Sequence, residues 1–331
     1  MIRWIEGFEG DKDATSLARK YPGSTLTGLA TSSGETNGTA LHAGSTSQLI
    51  LLTPSFGNEQ TWSVGLRHRA LAELSIYDRR VVALMDGSTI QLSLWDRRSL
   101  SDPSNYHFYT LESNGIVFAA TPDIPNATWR YLEVLAHIHP TLGSIEFRID
   151  GLVFFSGTSL PVSANGSQQA SQVRFSGSES FFDDIYIGDE VLGEISVEGA
   201  SPKSDGPSSE WSTLGGGAHY VEVDEATPDD DTSFLHNDAD NLRDVFSHDE
   251  FAFSGAKVLA VQQNIQARLA AAGSRQVHGV VRVDGETFED PGTTVDSTSW
   301  KHAHSIWENN PKTGSPWELE DVVRAHFGVG S

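Results

Sequence analysis

The chain has 331 residues, with 45 acidic against 22 basic side chains and a formal net charge of −23. Nucleic-acid backbones and anionic membranes draw their affinity from Lys and Arg that neutralise phosphates, so neither nucleic-acid binding nor membrane insertion is expected of this surface. There is no cysteine, which excludes disulfides and thiolate metal sites. A hydrophobic fraction of 38%, with 31 Gly and 13 Pro, suits a strand-and-turn protein with thin cores.

The opening Trp4-Ile-Glu-Gly-Phe-Glu9 reads as a first strand, and no signal peptide is expected there. Trp62, Val64 and Leu66 alternate with Ser63, Gly65 and Arg67, and Leu74 and Ile76 repeat the pattern. Such a period of two marks half-buried strands. Hairpin turns are predicted at Asp86-Gly87, Asn114-Gly115, Asp150-Gly151 and Asp284-Gly285, each beside apolar alternation. Residues 129–138 are apolar on both faces and read as a central strand. Ile145, Phe147 and Ile149 define a half-buried strand that returns after Asp150-Gly151. Composition shifts near residue 195, and the Gly-, Pro- and Ser-rich residues 196–217 read as a linker or long loop. In 257–272, helix propensity competes with the strand face of Leu259, Val261 and Ile265, and strand is the choice. A capping box at Ser315-Pro316-Trp317-Glu318 predicts a closing helix from Pro316 to about Phe327. The expected fold is all-β: two antiparallel jelly-roll-like β-sandwiches, over 1–195 and 218–331, with a short C-terminal helix.

Few constellations carry chemistry. Glu222-Val-Asp224-Glu225 approaches a glucanase acid triplet, but Thr227 stands where the third acid belongs. No nucleophile elbow, phosphate loop or dinucleotide fingerprint occurs, so no enzyme and no required cofactor is expected. Asp183, Asp184 and Asp189 are the candidate ligands for Ca2+, which needs six to eight oxygens. His137/His139 and His302/His304 have the spacing to place two imidazoles on one side of a strand, each pair lacking a third metal ligand nearby. Trp95, Arg97, Arg98, Tyr106 and Tyr109, in or beside an expected exposed loop over 94–103, are the candidate glycan contacts. Trp317 is the candidate interface residue, because Trp is enriched at interface hot spots.

Phe182-Asp-Asp-Ile-Tyr-Ile-Gly-Asp189 resembles the closing strand of laminin-G/concanavalin-A-like sandwiches, where the chain returns beside its own first strand. Taken in order with Trp129-Arg-Tyr-Leu-Glu133, Ser209-Glu-Trp211, His219-Tyr220, Asp229-Asp-Asp-Thr232 and Asn310-Pro-Lys-Thr-Gly314, it makes nearly the whole chain similar to tailed-bacteriophage virion structural proteins with such an N-terminal domain. The resemblance implies a virion component assembled in the bacterial host cytoplasm, tail-associated at a tip, baseplate or fibre. Its implied partners are other virion proteins; the thin hydrophobic content and eight Trp point to further copies of itself, and the aromatic loop to a host-surface glycan. The alternatives are a carbohydrate-binding, lectin-like receptor module and a capsid decoration protein.

Overall fold

The computed structural model describes residues 1–9, 17, 18, 20–34, 39–71, 78–225, 228–249, 251 and 257–331. The strand expected at Leu74 and Ile76 lies outside them. The chain divides into two units, Met1–Val197 and Glu198–Ser331. Both are antiparallel β-sandwiches. Among the described residues, no helix is long and apolar enough to cross a membrane.

The first unit holds β1 (Ile2–Glu6), β2 (Thr25–Ser33), β3 (Thr39–Leu52), β4 (Thr61–Ala70), β5 (Asp78–Asp86), β6 (Thr89–Arg98), β7 (Tyr106–Ser113), β8 (Ile116–Ala120), β9 (Ile124–Pro125), β10 (Arg130–His137), β11 (His139–Ile149), β12 (Leu152–Val162), β13 (Gln172–Gly177) and β14 (Ser180–Gly188). They join in the order β12-β11-β10-β4-β14-β3-β13-β5-β6-β7-β8, with β1 on β14, β2 on β3 and β9 on β7. The path folds into two layers because β3 changes partner along its length. Ala43 to Leu41 pair with Ser180 to Phe182 of β14, while Leu49 to Leu52 pair with β13. The alternation read in the sequence sets the core between the layers. Trp62, Val64 and Leu66 of β4 and Phe147 of β11 lie buried in one cluster with Leu92 and Leu94 of β6 and Phe175 of β13. The expected closing strand is β14, and it runs antiparallel to β1, Ile5 opposite Tyr186.

Turn chemistry places the hairpins. Asn114/Gly115, Asp150/Gly151 and Asp284/Gly285 all have positive φ, as a type I′ turn requires. The fourth hairpin is shifted by one residue: Asp86 pairs with Thr89, so Gly87 and Ser88 make the turn, and only Gly87 has positive φ.

At one end of the core, the apolar rows of β4, β6 and β7 continue into His68, Asp96 and His107, with Arg79 of β5 paired to Asp96. Arg79 Nη2 lies 3.0 Å from Asp96, and His107 Nδ1 lies 2.8 Å from its other oxygen. His68 Nδ1 and Tyr109 Oη are 2.9 Å apart. Burial pushes the His68 imidazole down to about 3, against an opposing pull from Asp96. This cluster is internal and closes one end of the sandwich.

On the far side of β4 and β10 the sheet is sealed by its own chain. Leu192 N donates to Tyr186 Oη, Gly193 N to Glu133 and Val197 N to Asp184. The Tyr186 ring lies flat over Gly65, where a Cβ would stand 2.1 Å from a ring carbon.

The second unit holds β15 (Pro202–Ser209), β16 (Ser212–Thr213), a 3-10 turn (His219–Glu222), β17 (Leu235–His236), β18 (Arg243–His248), β19 (Val261–Ala267), β20 (Arg275–Val283), β21 (Glu286–Glu289), β22 (Thr293–Val295), β23 (Lys301–Trp307), α1 (Leu319–Arg324) and β24 (His326–Gly330). The main sheet runs β15-β18-β24-β20-β21 with β22 on β20, and β19-β23 forms a separate pair. Segment 196–217 is therefore not simply a linker: its residues 202–209 are the edge strand β15. Segment 257–272 contributes a strand, β19, as chosen over helix.

The closing helix is shorter than the capping box predicted. It spans six residues with Glu318 at the N-cap and no side-chain cap. Residues 326–330 leave it to form β24 between β18 and β20, where ladder bonds on both sides outweigh local helix preference. Trp317, the candidate interface residue, is buried within its own unit. It is 2% exposed, packs with Val281, Val322 and Phe327, and donates from Nε1 to the Trp307 carbonyl at 2.9 Å.

Asp244 is fully buried and accepts from the backbone N–H groups of Glu210 (2.6 Å) and Trp211 (2.8 Å) and from His219 Nδ1 (2.5 Å). It pins the 209–220 segment to β18. Asp244→Ala is expected to destabilise this unit by about 2 kcal/mol, since buried donors lose their acceptor. Protease cleavage within 209–220 should accelerate, and an unchanged rate with an unchanged urea midpoint would refute the assignment.

Candidate functional site

In the first unit, the sealed β4–β10 face contrasts with the outward side of the other layer. Pairing places side chains there by register. Trp95 of β6 stands opposite Arg80 of β5 and Thr110 of β7. One pair along, Ser93 stands opposite Ala83 and Glu112, and Ala83 stands opposite Arg174 of β13. Small Ala83 and Ser93 thus leave room beside Arg80, Arg174 and Trp95. The result is an open recess lined by Arg80, Trp95 and Glu112 and bordered by the Asn114-Gly115 turn and Ala164.

The Trp95 indole N–H is spent on Ser93 Oγ at 2.9 Å, so the ring has no polar atom left to satisfy. The Arg80 guanidinium lies 4.4 Å from the ring centroid and that of Arg97 5.0 Å. Such contacts are worth roughly 0.5–1 kcal/mol each at exposed sites. Arg97 is itself held by ion pairs to Asp78 and Glu112 and donates to Thr110 Oγ1 at 2.8 Å.

Of the residues singled out in the sequence, Trp95 and Arg97 come together on this face. The segment expected as a loop is strand β6 as far as Arg98. Arg98, opposite His107, belongs to the other side of the sheet, and its Nη2 reaches the Pro103 carbonyl at 3.4 Å. Tyr106 lies further along β7, opposite Pro125, and is 37% exposed. Tyr109 is a correction: it is fully buried beside His68 and His107 and cannot touch a ligand. Arg80 and Arg174 escaped the sequence reading because only strand pairing brings them to Trp95.

The three candidate calcium ligands serve separate partners. Asp189 takes the N-terminal amine at 2.6 Å. Asp184 takes Arg67 Nε at 2.7 Å. Asp183 is buried, its Oδ1 accepting from Asp184 N at 2.8 Å, and burial first, then the Asp184 charge, push its carboxyl up to about 8. A buried acid that holds its proton is a poor cation ligand. His302 and His304 do sit side by side on β23, ring centroids 6.4 Å apart. Among the described residues, no group of three His, Cys, Asp or Glu is arranged to hold a metal ion. Glu222 closes a 3-10 turn, so no strand carries the acids of 222–225 on one face.

No family model and no curated protein matches the chain. Among solved structures, the chain is similar to the alginate lyase Aly36B, with 8% identity over 59% of this chain and 98% of that one, at a TM-score of 0.40. It is similar to domain 4 of AbnA, an extracellular arabinanase of Geobacillus stearothermophilus, in complex with arabinotriose, with 16% identity over 56% and 91% and a TM-score of 0.39. The cellulose induced protein Cip1 gives 16% identity over 58% and 100%, also at 0.39. At these scores the likenesses decide neither activity nor ligand.

Proposed function

We propose that this chain is a glycan-binding β-sandwich module, a lectin-like receptor domain that binds without turnover. One observation carries the reading: the Trp95 ring, its N–H already satisfied, sits in an open recess among oriented guanidinium groups. Saccharide recognition asks for that combination, an apolar ring for the sugar's C–H face and a few fixed polar groups for its oxygens. The side chains are held by strand register rather than by a loop, which lowers the ordering cost of binding. The virion placement implied by the sequence resemblance, with attachment to a host-surface glycan, is compatible with this reading and is part of the proposal. Detection of the chain in purified particles by mass spectrometry tests that placement separately.

Trp95→Ala is expected to weaken glycan binding at least tenfold with the thermal midpoint nearly unchanged, since the ring is not in the core. Titration calorimetry against the strongest hits of a glycan array reads this out. Absence of any saccharide ligand for the wild-type chain would overturn the proposal.

A further inference from the structure

Arg79, Arg67 and Arg97 of the sandwich are all paired to carboxylates. Arg79 has Asp96, Arg67 has Asp184 and Glu194, and Arg97 has Asp78 and Glu112. Arg80 and Arg174 have none. Among the described residues, neither makes an ion pair or a side-chain hydrogen bond, and the Nε of each is buried without an acceptor. This occurs in a chain with 45 carboxylates for 22 basic side chains, where acceptors are abundant. A guanidinium whose terminal N–H groups have no protein acceptor is left to bond water or a ligand, and the like charges of Arg80 and Arg174 act on one another. Packing on Trp95 accounts for Arg80 but leaves Arg174 unexplained. Burial, and for Arg80 also the Arg174 charge, lower both guanidinium pKa values from their ordinary range, and both groups stay charged at neutral pH.

We propose that the unpaired guanidiniums of Arg80 and Arg174 bind the carboxylate of an acidic saccharide, a uronate residue whose ring lies against Trp95. The inference rests on the glycan reading above and names its ligand class. Guanidinium offers paired N–H donors in the geometry of a carboxylate's two oxygens. The charge count selects a monoanion. Around Trp95, Arg97 is paired with Asp78 and Glu112, and Arg80 feels both Glu112 and the like charge of Arg174, so three guanidiniums stand against two carboxylates. A carboxylate balances that excess charge, whereas a doubly charged group would meet Glu112 uncompensated.

The experiment is titration calorimetry of the full chain with a galacturonic acid tetramer, its carboxyl-reduced neutral counterpart and a sulfated tetrasaccharide of equal length. The uronate should bind at least tenfold more tightly than the neutral sugar, and its affinity should fall with added salt. Arg174→Gln should lose at least tenfold in uronate affinity and with it the preference for the uronate over the neutral sugar. Arg174→Lys keeps the charge without the fork and should lose less, which guards against a folding artefact. Equal affinity for uronate and neutral sugar would overturn this proposal and leave the glycan reading standing. Tighter binding of the sulfated sugar would overturn the carboxylate assignment. Binding of no saccharide at all would overturn both.

Discussion

Asp96→Ala is expected to lower the stability of the first unit by about 4 kcal/mol, the cost of stranding a buried charge. Asp96 is 1% exposed and neutralises Arg79, which is 6% exposed. The Arg79 guanidinium also donates to the carbonyls of Ser178 and Glu179, so it cannot swing out to water without breaking the β13–β14 connection. Burial opposes ionisation of Asp96, yet the Arg79 charge and the His107 hydrogen bond win and hold its carboxyl below the usual range. Its contribution is present at neutral pH and is lost in acid. His68 adds a slope in the same direction. Its folded form resists protonation until about 3, whereas the unfolded chain takes the proton near 6.5. Stability should therefore fall as pH drops through that window. Urea denaturation of wild type and Asp96→Ala at pH 7, 5 and 4 checks both statements. A loss under 1 kcal/mol at pH 7 would show that water reaches Arg79.

Asp183→Asn is expected to act in the opposite direction and stabilise the protein at pH 8 by about 5 kcal/mol. The folded state holds the Asp183 carboxyl up to about 8, against 3.8 ordinarily. Between those values the unfolded chain releases a proton that the folded chain keeps, so wild-type stability declines as pH rises across the window. Asparagine keeps the oxygen that accepts from Asp184 N and carries no charge to bury. The gain should shrink to under about 1 kcal/mol at pH 4, close to the ordinary carboxylate value. Parallel wild-type and variant profiles from pH 4 to 8 would refute it.

Strand periods and turn dipeptides made the sandwich legible. Ile145 and Phe147 point inward as their spacing says, and Asn114-Gly115 supplies the two positive-φ residues its hairpin needs. The turn near Asp86 slid by one residue because Gly87 alone suffices as the first central residue. Inward-facing charge hid part of strand β6: Asp96 occupies a core position, which made 94–103 read as a loop. The same parity put Tyr109 inside beside Leu111. The recess was illegible for a different reason. Arg80, Trp95 and Arg174 lie far apart along the chain, and only the β13–β5–β6 ladder makes them neighbours. At the C-terminus, a sound local helix signal lost to two long-range ladders on β24.

The pairing of β1 with β14 has a consequence for biosynthesis. Among the described residues β1 pairs with β14 alone, and Ile5 must wait for Tyr186 to leave the ribosome before it has a partner. Contacts of such sequence separation form late and slowly. Until then the nascent chain carries β1 without a partner, an exposed edge open to pairing with other chains.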